Sequence, residues 1–172
     1  MPLLNKSMVL LLIKDLLRNT NNSVIPIISM LSIQILLKPG GYNMPLFKFD
    51  VLEGRTDEQL RQLLDVTHVA MVEALEVPEL DRYQVVNQHK PAEMVIHDTG
   101  LGFTRSKNFV LITIISNKRT PEKKQKLYQL VTERLEAECG ISKDDVMFSV
   151  VENTDVDWSF GHGEAQFITG KL

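Results

Sequence analysis

The dipeptide Met44-Pro45 offers the least ordinary chemistry in this chain. Methionine is commonly trimmed before a small residue, and a proline left first carries a titratable secondary amine. An ordinary α-amino group titrates at roughly pH 7.7–8.0, and a pocket moves that value in either direction. Neutral, such a nitrogen can take a proton from the carbon beside a carbonyl. Protonated, it can polarise the carbonyl or lead through an iminium. Inside a chain the same nitrogen is a tertiary amide with no proton and no useful basicity.

The residues before it bear on which form exists. Gly40-Gly41-Tyr42-Asn43-Met44 can be encoded as a purine-rich bacterial ribosome-binding site followed, at a suitable distance, by a start codon. Residues 1–44 are therefore expected to be an upstream extension absent from the mature protein, with residues 45–172 as the working domain. The extension is rich in Leu, Ile, Asn and Ser and nearly free of acids. Its apolar runs, residues 8–13 and 24–37, are short of an uninterrupted span of ~20 residues or contain Pro26. The basic start and apolar run resemble a signal peptide, but no small-x-small cleavage site follows. A segment lying on a membrane surface stays open as the alternative.

Other groups are less informative. One cysteine, Cys139, excludes an internal disulfide framework and a cysteine-based zinc site, and fits a reducing cytoplasm. His68, His89, His97 and His162 lack metal-ligand spacing, so no metal site is expected. Gly100-Leu101-Gly102 lacks the further glycine and helix of a dinucleotide loop and reads as a turn. Lys6, Lys14, Arg18 and Lys38 stand against Asp15 in the first 44 residues, a net +3. The formal charge of -3 for the whole chain therefore leaves -6 for the remainder, which argues against a nucleic-acid partner.

The elements that must position any site are strongly patterned. Residues 46–51 and 81–87 read as strands. Between them, Thr56-Asp57-Glu58-Gln59 matches a capping box. The helix it opens carries Leu60, Leu63, Leu64, Thr67, Met71, Ala74 and Leu75 on one stripe and ends near Val77-Pro78. The plan repeats after a loop of residues 89–108. Residues 109–116 form an apolar strand, and Thr120-Pro121 opens a helix with Leu127, Leu130, Val131, Leu135 and Cys139 on one stripe. Gly140 closes that helix, and residues 145–151 form the last strand. The halves align at a gapless offset of 64, pairing Arg55 with Arg119, Leu63 with Leu127 and Asp81 with Asp145. The expected fold is α+β: tandem βαβ units forming a four-stranded sheet with two helices on one face. The bare face, apolar along residues 109–115, is expected to meet another subunit.

Pro45-Leu46-Phe47-Lys48-Phe49-Asp50 with Gly54-Arg55-Thr56 resembles the start of tautomerase-superfamily proteins after methionine removal. Asp81-Arg82-Tyr83-Gln84, Asp98-Thr99-Gly100-Leu101-Gly102 and the run of residues 151–161 are similar to the malonate semialdehyde decarboxylase branch. The resemblance covers residues 45–172. It implies a homotrimer with an amino-terminal proline in each active site, acting without cofactor on a small oxo acid. It implies that Pro45 is the catalytic proline and Asp81 the acidic partner that positions or activates water. Arg119 is implied to bind the substrate carboxylate, and Trp158, Phe160, Phe167 and Leu172 to form the apolar wall. Taken singly, these would be a strand-edge proline, a turn aspartate, a solvated arginine and core aromatics; Arg55 reads as a relic of duplication.

One departure stands out. The branch carries Arg-Pro-Arg where this chain has Asn117-Lys118-Arg119, so a charged fork is replaced by a neutral amide at Asn117, which the resemblance places among the substrate-binding residues. The activity expected is keto–enol tautomerisation, or decarboxylation of 3-oxo acids like malonate semialdehyde, with the first at least level with the second. The alternative is a non-catalytic trimeric interaction protein, membrane-associated through its first 44 residues. The coding DNA is expected to read GGAGG across Gly40-Gly41; codons unable to form it remove the argument for a start at Met44.

Overall fold

The computed structural model describes residues 44–172, and the expectations for residues 1–43 lie outside the described residues. Strand β1 (Leu46–Leu52) buries Phe47, Phe49 and Val51 and leaves the residues between them half-buried, the period of two that a sheet with one covered face requires. A turn through Gly54 (φ 114°) leads to helix α1 (Asp57–Leu75). Its capping box forms as expected. The Gln59 amide donates to the Thr56 hydroxyl at 3.3 Å, and the Thr56 amide donates to the Gln59 side chain at 2.9 Å. The helix stops at Leu75 because Glu76 turns left-handed and donates its N–H to Val72 O, ahead of Pro78. Strand β2 (Tyr83–His89) starts two residues later than the sequence suggests. Asp81 and Arg82 are used in the turn before it, donating to Pro78 O and Leu80 O.

The second unit repeats the first. Strand β3 (Val110–Asn117) leads to helix α2 (Pro121–Cys139), capped by Thr120, whose hydroxyl accepts from Lys123 N–H, and closed by Gly140 at φ 65°. A 3-10 turn at Lys143–Asp145 delivers strand β4 (Val146–Asn153). A second 3-10 turn, Asp155–Asp157, and a single helical turn α3 (Gln166–Thr169) complete the chain. The sheet order is β2-β1-β3-β4: each unit contributes a parallel pair, and β1 joins β3 antiparallel. The inner strand faces and both long helices share one apolar core around Phe47, Phe49, Ile112, Leu63, Leu127 and Leu135. This is the expected two-layer α+β fold.

The repeat departs from the gapless alignment in one place. The offset of 64 holds through the helices, where Leu63 and Leu127 are both buried, and at Asp81 and Asp145, also both buried. It fails in the first strands. Phe47, Phe49 and Val51 point inward, whereas Leu111, Thr113 and Ile115 at the matching positions are half-buried and their neighbours Val110, Ile112 and Ile114 fill the core. Three residues separate β1 from Thr56, and two separate β3 from Thr120. The extra residue, at the Gly54 turn, shifts the side-chain phase by one.

The other sheet face carries no covering layer among the described residues. Tyr83, Val85, Met147 and Val151 are exposed there, beside a polar group in which the Asp50 carboxylate accepts from Asn87 at 3.1 Å and contacts His89 at 2.7 Å. Among the described residues no helix is long and apolar enough to cross a membrane.

Leu63 and Leu127 occupy equivalent core positions, so truncating either leaves a comparable cavity. Leu63→Ala and Leu127→Ala are each expected to lower unfolding free energy by about 2–5 kcal/mol, read by urea denaturation.

Candidate active site

Strand register collects the site residues at one end of the sheet. Leu46 lies opposite Tyr83 of β2 and opposite Ile115 of β3, and Asn117 lies opposite Asn153 of β4. Pro45 is one residue before Leu46. Asp81 is two before Tyr83, and Asn117 and Arg119 follow Ile115 by two and four. Trp158 follows the turn that leaves β4. The start of β1, the start of β2 and the ends of β3 and β4 thus coincide. Pro45 is buried there.

Asp81 and Arg119 form the charged centre. Asp81 is 5% exposed, and neither carboxylate oxygen has a hydrogen-bond partner among the described residues. Burial pushes its carboxyl above the ordinary value; Arg119 and then His68 oppose that push. Arg119 is 8% exposed, so burial works against its charge while Asp81 supports it. Its backbone is held by the Thr120 cap immediately after it. His68, on α1, is buried, and its Nε2 lies 2.9 Å from Glu79 O. A carbonyl only accepts, so Nε2 carries the proton in that bond. The other ring nitrogen, Nδ1, is buried without a hydrogen bond.

The duplicate of this centre shows what a structural version looks like. Asp145 is also buried, but its carboxylate accepts from Ser106 N–H and from the Ser106 hydroxyl, both at 2.6 Å. Arg55 donates to Leu52 O at 3.3 Å and Asn108 O at 2.6 Å. That end holds a 440 Å³ cavity lined by Arg55, Gln59, Gln62, Asn108 and Cys139. The proline end differs in kind: its carboxylate is as dry as Asp145 but lacks the hydrogen bonds that would make it a structural fixture.

The aromatic residues form a continuous stack. Trp158 lies flat against Phe160, with ring centroids 5.5 Å apart at 7°, and Phe167 meets Phe160 edge-on at 5.6 Å. Phe160 is pinned by its N–H donating to Gln166. Tyr83 joins from β2, 5.8 Å from Phe160. Asn117 is bound to this assembly: its amide donates to Asp155, and its carbonyl accepts from the Trp158 indole at 3.3 Å. Leu172 is half-buried after α3.

His68 and Tyr83 are the additions that the sequence does not announce. His68 lacks metal-ligand spacing, and only the 78–82 turn brings it beside Asp81. Tyr83 reads as one more strand residue until Phe160 folds over it. Among the described residues no group of three or more His, Cys, Asp or Glu side chains could hold a metal ion. A guanidinium of this kind has the chemistry to bind a carboxylate, and a buried carboxyl of raised pKa has the chemistry to exchange a proton.

Because the folded state raises the Asp81 pKa, it binds the Asp81 proton more tightly than the unfolded chain does. Stability contributed at this position therefore falls as pH rises from the ordinary carboxylate value of 3.8 through the raised one. Wild type is expected to lose unfolding free energy relative to Asp81→Asn as pH rises through the range above 3.8. Denaturant titrations of both proteins across that range check the sign.

Two models described as tautomerase enzyme match the chain, one over residues 45–104 and the other over residues 81–161. A probable tautomerase of Bacillus subtilis (strain 168), YrdN, is 57% identical over 129 residues, 75% of this chain and all of that protein. A solved structure of malonate semialdehyde decarboxylase is 57% identical with a TM-score of 0.72, covering 74% of this chain and 98% of that one. That work comprises wild-type, inactivated and first-proline-to-alanine forms and describes decarboxylase and hydratase activities. FG41 malonate semialdehyde decarboxylase inhibited by 3-bromopropiolate is 41% identical with a TM-score of 0.70, covering 74% and 97% of the two chains. At 20% identity, a fused 4-OT solved as a symmetric trimer shares the fold, with a TM-score of 0.60 over 73% of this chain and 98% of that one. With its matching family models, its doubled βαβ sheet and a full-length relative at 57% identity, the chain belongs to the tautomerase superfamily and is an enzyme of that superfamily.

Proposed function

We propose that the working protein is residues 45–172, a cytoplasmic homotrimer that uses Pro45 as an amino-terminal catalytic residue on a small oxo acid, without a cofactor. The observation that carries this reading is the Asp81 carboxylate: buried, without hydrogen bonds among the described residues, opposed by Arg119, and at the sheet end where β1 begins. The exposed Tyr83, Val85, Met147 and Val151 on the uncovered sheet face support assembly with further copies.

In this mechanism Arg119 binds the substrate carboxylate through its fork of N–H donors. For enolisation, the neutral Pro45 amine removes a proton from the carbon beside the carbonyl. The electron pair moves onto the carbonyl oxygen, and the proton returns from Pro45 to complete the enol. For a 3-oxo acid, a protonated Pro45 polarises the carbonyl, and the carbon–carboxylate bond breaks to release carbon dioxide. The resulting enolate then takes a proton. In both reactions negative charge grows on one oxygen, where a preorganised cation lowers the barrier. Asp81 tunes the charge of Pro45 or holds water, and Trp158, Phe160, Phe167 and Leu172 exclude bulk solvent. Asn117 edges the same pocket.

Every step requires a free Pro45 nitrogen. The intact mass of the protein from its native host is expected to match residues 45–172. That protein is expected to enolise phenylpyruvate or decarboxylate malonate semialdehyde. Pro45→Ala should lower kcat/KM by roughly 10²–10⁴-fold. A mass matching all 172 residues, or unchanged kcat/KM in Pro45→Ala, sinks the reading.

A further inference from the structure

Asn117 spends both halves of its amide on its own chain. Its NH2 group donates to the Asp155 carboxylate, at the first position of the 155–157 turn. Its carbonyl oxygen accepts from the Trp158 indole at 3.3 Å, and Asn153, its register partner on β4, accepts from the same indole at 3.1 Å. Two cross-strand asparagines therefore share one N–H. The turn between them is independently held, since the Asp157 carboxylate accepts from both the N–H and the hydroxyl of Thr154 at 2.8 Å. The Trp158 ring, held at its N–H by these two contacts, lies at 7° to Phe160.

The chemistry of position 117 follows from the indole. Trp Nε1 only donates, so its neighbour must accept. Arginine and lysine carry no acceptor. A cation here would take Asp155 for itself and leave the indole to Asn153 alone. Asparagine serves both partners at once, an acceptor toward Trp158 and a donor toward Asp155.

We infer that Asn117 is a positioning residue that sets the aromatic wall of the active site and does not itself bind the substrate carboxylate. This inference rests on the oxo-acid reading only for its effect on catalysis; the effect on Trp158 stands apart from it. Selectivity then divides between two groups: Arg119 takes the carboxylate, and the angle of Trp158 decides what the remainder of the substrate can lie against.

Trp158 is the only tryptophan in the chain, so its emission reports on this contact directly. In the full 172-residue chain, Asn117→Ala and Asn117→Arg are both expected to shift emission to the red and to increase acrylamide quenching. The paired exchange Asn117→Asp with Asp155→Asn keeps an acceptor for the indole and a donor between the two side chains. It is expected to restore both signals, even where Asn117→Ala folds poorly. In turnover of phenylpyruvate by the host-processed protein, Asn117→Ala should raise KM roughly threefold to tenfold with kcat kept. Wild-type emission in Asn117→Ala, or a lower KM in Asn117→Arg, overturns the inference, the latter by showing that position 117 faces the carboxylate. If wild type turns over no oxo acid, the proposed function fails, and the emission of the two single variants still decides the role of Asn117.

Discussion

The antiparallel ladder between β1 and β3 is the constraint from which the rest of the architecture follows. Each βαβ unit is internally parallel, so either alone would place its strand starts at one end and its strand exits at the other. Joining the units back to back at Leu46 and Ile115 reverses one relative to the other. The entrance of one unit then coincides with the exit of its twin. The start of β1 at Pro45, a buried carboxylate from a turn, an arginine from a strand-to-helix link and the start of the aromatic segment share one end of the sheet only because of that reversal. No local interaction in the site could compensate for a slip in this ladder, since one residue of shift would exchange Phe47 and Phe49 for Leu46 and Lys48 in the core.

Within that frame the two ends of the sheet have taken different physical routes. Both bury an aspartate against an arginine of the opposite unit. Burying a carboxylate is costly unless its oxygens are hydrogen-bonded, and at Asp145 the Ser106 amide and hydroxyl meet that need. At Asp81 nothing comparable is present among the described residues, and burial pushes the carboxyl upward. Perturbed ionisable groups of this kind concentrate at functional sites. The two otherwise matched pairs thus differ in whether the buried carboxylate is held by hydrogen bonds.

Fold and site were legible in the sequence to different depths. The strands and helices were readable because each obeys one period, and because Thr56, Thr120 and Gly140 carry local cap chemistry that needs no tertiary contact. Helix α1 ends at Leu75, just ahead of the Val77-Pro78 stop, at a left-handed Glu76, a residue type that does not advertise a cap. Pro45, Asp81, Arg119 and the aromatics stood out through family resemblance and not through spacing, because residues that converge from different strand ends leave no periodic trace. His68 and Tyr83 belong to elements whose patterns fully account for them, and their nearness to Asp81 and Phe160 is a product of packing alone. The hydrogen bonds of Asn117 were equally invisible, depending on a turn that begins 38 residues later.

The extra residue at the Gly54 turn bears on the history of the molecule. An ancestral duplication would have produced two copies interchangeable by construction. Here the first strands are out of phase by one, so the copies have lost that modularity. Exchanging the first strands alone, without their turns, would send apolar side chains to the outer face, whereas a strand moved together with its own turn keeps its phase. The smallest interchangeable piece has therefore grown from the strand to the strand with its turn.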